Sequence, residues 1–171
     1  MAPLSKNWPL AALLLSGAML AVAHGFEAAG YAPCSLCLRQ REVYWAIVAV
    51  CAVALVLPRL WKSPSLPRAM NLLIGGAFLA GAGVAAYHAG VEWKFWPGPS
   101  SCGSVGGPVS AKDLAAALGG RPIHVVPCDE AAWRDPVLAA SMAGWNALAS
   151  LAFAGFSFFA AAAPIARAQD D

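Results

Sequence analysis

The chain has 171 residues, of which 60% are hydrophobic and only 12% are charged. Soluble domains carry about 25% charged residues, so this composition, with a mean hydropathy of +0.62, indicates a membrane protein rather than a soluble one. The net charge of +2 is small and not clustered, so nothing in the composition suggests a nucleic-acid partner, and the length fits one domain.

The first apolar stretch, residues 7–26, is long enough to cross a bilayer, which takes about 20 residues in a helix. We place the first transmembrane helix at about 8–27. Lys6, the apolar run and the sequence AVA at 21–23 also resemble a secretory signal with its small-residue cleavage site. We prefer the transmembrane helix, because the run is long for a signal and its removal would take a packing partner from the remaining helices.

The second apolar stretch, residues 43–58, is too short to span a bilayer unless the helix extends back through Leu38. We therefore place this helix at about 38–57. The extension puts Arg41 and Glu42 at the membrane boundary, where an ionisable side chain is costly and usually functional.

Two further apolar stretches, 69–91 and 136–166, predict spans at about 69–89 and 137–161. The sequence thus predicts an all-α membrane protein, a single integral membrane domain over residues 1–171 that forms a four-transmembrane-helix bundle. The connections are a short first outer loop at about 28–37, an inner loop at about 58–68 and a long second outer loop at about 90–136.

The positions of basic residues and cysteines set the expected orientation. Basic side chains are enriched on the cytoplasmic side of membrane proteins, and here they flank both termini and fill the inner loop, as Lys6, Arg59, Lys62, Arg68 and Arg167. Arg39 and Arg41 oppose this assignment. Disulfides persist only outside the cytoplasm, and four cysteines fall in or beside the outer loops, at Cys34, Cys37, Cys102 and Cys128. We expect both termini to be cytoplasmic.

The sequence PCSLC at 33–37 can be a metal clip, a structural staple or a redox centre. A zinc site commonly uses two close pairs of ligands, but Cys102 and Cys128 lie far apart in a Gly/Pro-rich loop, so we expect no metal. Structural disulfides are the plainer alternative. A four-residue bridge closes so small a loop that it gains little chain entropy, which favours an exchanging disulfide. Cys51, about 21 Å along the helix from Cys37 at 1.5 Å per residue, is expected to be an inert buried thiol.

The residues around this motif favour thiol exchange. Pro33 disfavours helix before it, so Cys37 falls in the first turn of the second helix, where the positive end of the helix dipole lowers the pKa of a thiol. Arg41 lies four residues on and shares the same helical face. Its guanidinium can stabilise a thiolate or donate to a carbonyl oxygen of a bound ligand, although a boundary arginine can also simply extend to the surface.

Other polar residues are expected at the same outer level of the bundle. Because the spans alternate in direction, His24 and Glu27 end the first helix, and His88 and Glu92 end the third, on the side that carries the cysteines. Taken alone, His88 can be a boundary histidine bonded to a backbone carbonyl. The roles of Glu27 and Glu92 are left open.

The segments PCSLCLRQR (33–41), YHAGVEWKFWPGPSSC (87–102) and PCDE (127–130) resemble the disulfide bond formation protein B (DsbB) family of bacterial membrane thiol oxidases. The resemblance covers nearly the whole chain, including the four spans and the spacing of the outer cysteines. It implies a protein-disulfide-generating enzyme of the bacterial inner membrane, with periplasmic outer loops.

The resemblance implies a relay of disulfide exchange. A periplasmic thioredoxin-like oxidase (DsbA-like) would be reoxidised by the Cys102–Cys128 disulfide, with Cys102 forming the mixed disulfide. The Cys34–Cys37 disulfide would regenerate that bridge through a contact between Cys34 and Cys128, and Cys37 would pass the electrons on.

The resemblance also implies a membrane quinone, ubiquinone or menaquinone, as the electron acceptor, bound by Arg41 and His88. One alternative is a protein similar to vitamin K epoxide reductase, whose membrane Cys-X-X-Cys motif comes near the last helix, whereas here it opens the second. Another is a non-catalytic membrane scaffold with structural disulfides, which would not reduce quinone.

Overall fold

The structure is a computed structural model that describes residues 2–102, 118–119 and 127–163. Four long helices dominate this part of the chain: α1 (Ala2–Ala28), α2 (Ser35–Leu60), α3 (Leu66–Glu92) and α4 (Met142–Ala162). Each is long and apolar enough to cross a membrane. Among the described residues there is no strand, only one isolated bridge between Arg134 and Ser141. The predicted all-α fold with four membrane-spanning helices is confirmed, whereas residues 103–117 and 120–126 of the predicted second outer loop lie outside the described residues.

Side-chain caps fix where two of the helices begin. Cys34 is the N-cap of α2, and its sulfur accepts a hydrogen bond from the backbone N–H of Cys37 at 3.3 Å. Ser141 caps α4 in the same way, with its hydroxyl oxygen 3.1 Å from the amide nitrogen of Gly144. Such caps satisfy first-turn amides that have no partner within the helix. As a result α2 begins at Ser35, directly after the first cysteine of the motif.

Small residues let the helices approach closely. A Cβ atom added to Gly75 on α3 would lie 2.8 Å from the ring of Phe158 on α4, and one added to Gly81 would lie 3.2 Å from Val43 on α2. Phe78 is fully buried between them and makes edge contacts with Tyr44 and Phe153. Packing of this kind drives helix association in lipid, because lipid tails are themselves apolar and no hydrophobic effect pushes the helices together.

Helix α1 packs mainly against α2 and touches α3 and α4 less. Toward the N-terminal end of α1, the indole N–H of Trp8 donates to the hydroxyl of Ser157 on α4 at 2.8 Å. At the other end of α1, a cavity separates it from α4. The fold therefore leaves room at the end of the bundle where the Cys-X-X-Cys motif lies.

The close approach of α3 and α4 can be tested with two adjacent glycines. Gly75→Val should lower the stability of the detergent-solubilised protein by about 1–3 kcal/mol, because an over-packed side chain strains its neighbours. Gly76→Val is the matched control, since a Cβ at Gly76 meets no atom of the described residues within 4 Å. Thermal unfolding of the two variants measures the difference. Equal losses at both positions would contradict the packing described here.

Candidate active site

The structure brings the two predicted cysteine pairs into contact. Cys102 and Cys128 form a disulfide, and Cys34 and Cys37 are free thiols. Cys34, Cys102 and Cys128 share one buried cluster with two apolar neighbours, Leu36 and Val91, and Cys37 packs against it. The hydroxyl oxygen of Ser35 lies 3.3 Å from the sulfur of Cys102 and 3.4 Å from that of Cys128. The first turn of α2 thus carries one pair and contacts the other.

The chain after α3 turns back sharply, which carries Cys102 to this position. Trp96 folds over α3, stacks on Tyr87 with ring centroids 5.9 Å apart, and donates its indole N–H to the Tyr87 carbonyl at 2.9 Å. Gly90 makes this possible, because a Cβ there would lie 2.1 Å from the indole. Lys94, at the turn, forms an ion pair with Asp129, the residue after Cys128. The aromatic sequence EWKFW is therefore a structural part of the site.

The hydrogen bonds of the Cys-X-X-Cys motif converge on Cys34. Its sulfur lies 2.9 Å from the sulfur of Cys37 and accepts the Cys37 backbone N–H. The pKa of the Cys34 thiol is lowered, first because the Cys37 thiol donates to the Cys34 thiolate and then because His88 and the helix amide face it, while burial acts in the opposite direction. The sequence predicted the thiolate on Cys37, whereas in the structure the first-turn amide donates its hydrogen bond to the Cys34 sulfur.

His88 lies beside this sulfur, as part of a buried polar group. Its Nε2 is 3.5 Å from the Cys34 sulfur and 3.7 Å from Oε1 of Glu92, and its Nδ1 is 2.7 Å from Nε2 of Gln40. Glu92 is also buried, and its Oε2 has no hydrogen-bond partner among the described residues. The imidazole is thus close enough to exchange a proton with Cys34, and the Glu92 carboxylate lies next to the imidazole.

Arg41 reaches the same end of the bundle but bonds to α1. Its guanidinium pairs with the carboxylate of Glu27, donates to the carbonyl oxygen of Ala23 at 2.9 Å and approaches Nδ1 of His24 at 3.5 Å. The Arg41 side chain is only 13% exposed. Glu27, whose role the sequence left open, therefore holds the guanidinium in place. The described hydrogen bonds of Arg41 do not include the Cys37 sulfur that the sequence suggested.

A cavity of about 340 Å³ joins these groups. Most of its walls are apolar, and the predicted site residues that line it are Cys34, Cys37, Arg41 and His88, together with Glu92. Aromatic side chains on its walls are Phe26, Tyr31, Tyr44, Trp133 and Trp145. Small-molecule sites usually measure about 300–1,000 Å³ and place a few polar groups in an apolar wall. The cavity has the size and the chemistry of such a site.

The sulfurs of Cys34 and Cys37 and the imidazole of His88 also form a set of potential metal ligands, whose atoms lie within 4.8 Å of one another. Two thiolates on one zinc ion stand about 3.8 Å apart, because each tetrahedral Zn–S bond is about 2.3 Å. The two sulfurs here are 2.9 Å apart, closer together than two thiolates on one zinc ion. The geometry therefore favours thiol chemistry over a metal clip.

Sequence reasoning missed the polar residues inside the bundle. Gln40, Tyr44 and Asn146 form a hydrogen-bonded chain that ends on His88. Polar groups within a membrane span are costly and usually functional, so the amide of Asn146 in a largely apolar helix was the available signal. Cys51, in contrast, is fully buried in the helix core, away from the redox cluster.

Comparison with known proteins identifies one family. The family model described as Disulfide bond formation protein DsbB matches residues 5–160, a range that includes all four site cysteines, Arg41 and His88. No curated protein and no solved structure matches the chain. The family predicted from the sequence is confirmed.

The dependence of Cys34 on its neighbour can be measured directly. When Cys34 is reduced, Cys37→Ala should raise the pKa of Cys34 above its value in the parent protein with both cysteines reduced. The reason is that the thiolate loses the hydrogen bond that contributes most to its stabilisation. The thiolate's ultraviolet absorbance, followed as the pH is lowered, should then disappear at a higher pH than in the parent protein. Cys51→Ala is the control and should leave the titration unchanged. An unchanged titration in Cys37→Ala would contradict the described geometry.

Proposed function

The chain belongs to the disulfide bond formation protein DsbB family, and from this premise we propose that it is a quinone-dependent thiol oxidoreductase that reoxidises a periplasmic thioredoxin-like (DsbA-like) disulfide oxidase. The family and the four apolar helices make it a multi-pass membrane oxidoreductase of disulfide-bond formation. The observation that carries the proposal is the direct contact between the two cysteine pairs beside an apolar cavity.

In the first step a thiolate of the reduced partner attacks the Cys102 sulfur of the Cys102–Cys128 disulfide, so that Cys102 forms the mixed disulfide. The partner's disulfide forms, the Cys102–Cys128 bond breaks, and two electrons and two protons arrive on this pair. Exchange needs a thiolate that can reach a disulfide sulfur. Among the described residues, Lys94 and Asp129 tie the segment that carries Cys128 to the turn after α3, close to the motif.

In the second step the Cys128 thiolate attacks Cys34 of an oxidised Cys34–Cys37 pair, and Cys37 leaves. The Cys102 thiolate then attacks Cys128, which restores the outer disulfide and releases Cys34. The net result is a reduced Cys34/Cys37 pair and an oxidised Cys102–Cys128 pair, the combination that the structure contains. The shared cluster of Cys34 and Cys128 and the hydroxyl of Ser35 between the pairs support this route.

The cavity supports a quinone as the acceptor. When bound, a membrane quinone supplies an acceptor for two electrons and two protons. Cys37 lies in the cavity wall, and Arg41, oriented by Glu27, offers N–H donors to an oxygen. Buried His88 and Glu92 can hold and pass protons there. Oε2 of Glu92, which is buried and has no hydrogen-bond partner among the described residues, fits a site that receives a polar ligand or a proton.

The orientation follows from the charges at the opposite end of the bundle. Arg59 lies in the last turn of α2, Arg68 lies in the first turn of α3 and Lys62 lies between the two helices, on the side away from the cysteines. By the positive-inside rule this end faces the cytoplasm, so the cysteines face the periplasm of a bacterial inner membrane and both termini are cytoplasmic. A similarity to vitamin K epoxide reductase gains no support, and a purely structural scaffold does not account for a free dithiol beside a cavity.

The relay is tested with purified protein in detergent, a reduced DsbA-like oxidase and a soluble quinone analogue. Each partner disulfide formed should consume one quinone, and replacing any of Cys34, Cys37, Cys102 or Cys128 by Ser should abolish the reaction, because each sulfur has its own step. Cys51→Ala, the control, should remain near the parent activity. Quinone-dependent oxidation of the partner by a Cys102→Ser, Cys128→Ser double variant would rule out the two-step relay.

The role of Arg41 is tested by steady-state kinetics. Arg41→Met should raise the apparent KM for quinone about tenfold or more, because a hydrogen bond to a charged group contributes about 1.5–3 kcal/mol. Arg41→Lys should be milder but not silent, since lysine keeps the charge and loses the planar fork. Arg39→Met is the matched control, because Arg39 is exposed and pairs with Glu42.

Exchange between the partner and Cys102–Cys128 should stay intact in every one of these variants. Wild-type quinone dependence combined with a lost first exchange in Arg41→Met would remove Arg41 from the quinone site.

A further inference from the structure

A chain of buried polar side chains crosses three helices and ends at the redox centre. It starts at Tyr44 on α2 and Ser150 on α4, passes through Asn146 on α4 and Gln40 on α2, and reaches His88 on α3. All five residues are buried. In the membrane interior an unpaired donor or acceptor is costly, so each hydrogen bond of the chain constrains the direction of the next.

The direction of the chain can be followed from Tyr44. Its O–H donates to Oδ1 of Asn146 at 2.7 Å, and the Ser150 hydroxyl donates to the same oxygen at 3.3 Å. Nδ2 of Asn146 then donates to Oε1 of Gln40. The carbonyl of Gln40 is thereby occupied, and its amide nitrogen faces Nδ1 of His88 at 2.7 Å.

An amide nitrogen can only donate, so Nδ1 of His88 must accept and carries no proton. In the neutral imidazole the proton then lies on Nε2. Nε2 faces the sulfur of Cys34 at 3.5 Å and Oε1 of Glu92 at 3.7 Å, and the ring also contacts the backbone of Cys128. An N–H at this position donates toward the sulfur on which the other hydrogen bonds of the motif converge.

We propose that Gln40, anchored by Asn146, is a positioning residue that fixes the tautomer of His88 with the proton on Nε2, so that the imidazole donates to the Cys34 sulfur. In a functional histidine, the hydrogen bond made by one ring nitrogen usually sets whether the other nitrogen carries the proton. In the Ser-His-Asp triad, replacing the carboxylate at Nδ1 with an amide keeps the geometry and imposes the other tautomer. In this chain Gln40 places an amide at Nδ1 of His88.

The opposite polarity makes the proposal falsifiable. If the amides of both Gln40 and Asn146 were turned over, Oε1 of Gln40 would face His88, the proton would lie on Nδ1, and Nε2 would accept from the Cys34 thiol. Turning over one amide alone would set two donors or two acceptors against each other. The chain therefore adopts one direction as a unit, and the two directions give different protonation states of His88.

The test is nitrogen NMR of the full-length protein in detergent micelles, with ring-labelled histidine and with Cys34 and Cys37 reduced. The chain has three histidines, and the signals that disappear in His88→Gln assign His88. We expect a protonated Nε2 and an unprotonated Nδ1 in the wild-type protein. A protonated Nδ1 in the wild-type protein would overturn the proposal, whatever the variants do.

Two reciprocal variants distinguish control of the His88 tautomer by Gln40 from control by the carboxylate of Glu92 near Nε2. Gln40→Glu keeps the length and the acceptor for Asn146 but presents an oxygen to the ring, so Nδ1 should gain a proton. Glu92→Gln removes the carboxylate from the other side of the ring and should leave the wild-type tautomer in place. An unchanged spectrum in Gln40→Glu, or a lost tautomer in Glu92→Gln, would assign the control to another group.

Neither the soluble partner nor a quinone takes part in this measurement. The tautomer can therefore stand if the proposed acceptor is wrong, and the quinone relay can stand if the tautomer is wrong.

Discussion

The capping of α2 by the Cys34 sulfur is the interaction on which the rest of the site depends. A helix start leaves backbone amides without partners, and in the low dielectric near a membrane these must be satisfied locally. Here one of them points at Cys34. The same bond fixes the first turn of α2, brings the Cys37 sulfur within 2.9 Å of Cys34 and directs Ser35 toward the outer disulfide. Helix geometry and thiol chemistry are therefore set by one contact.

Close packing on one side of the bundle and looser packing on the other explain why a cavity can exist there. Glycines bring α3 against its neighbours, and Gly90 lets Trp96 fold back so that the Cys102 segment covers the motif. Helix α1, by contrast, touches α3 and α4 less closely. The ion pair between Glu27 and Arg41 joins α1 to α2 beside the resulting space. The largely covered guanidinium of Arg41 is thereby paired, and the carbonyl of Ala23 supplies a second acceptor.

Polar groups inside the bundle connect the membrane helices to the redox centre. The chain from Tyr44 to His88 passes from α2 to α4, back to α2 and then to α3, so a shift of α4 would reach the imidazole through Asn146 and Gln40. Burial fixes the direction of these hydrogen bonds, because an amide or a hydroxyl that lost its partner would find no water to replace it. The membrane thus contributes to the chemistry as the solvent of these polar groups.

The amino-acid sequence alone determined the four spanning helices and the family, because helix length, apolar runs and the spacing of cysteines are local features of the chain. It also indicated that Cys34, Cys37, Arg41 and His88 lie at one level, since spans alternate in direction. Only the tertiary structure decided which groups face one another. The pairing of Arg41 with Glu27, and the amide of Gln40 against His88, depend on the rotation of each helix about its axis. That rotation is set by packing between distant segments, which no local pattern specifies.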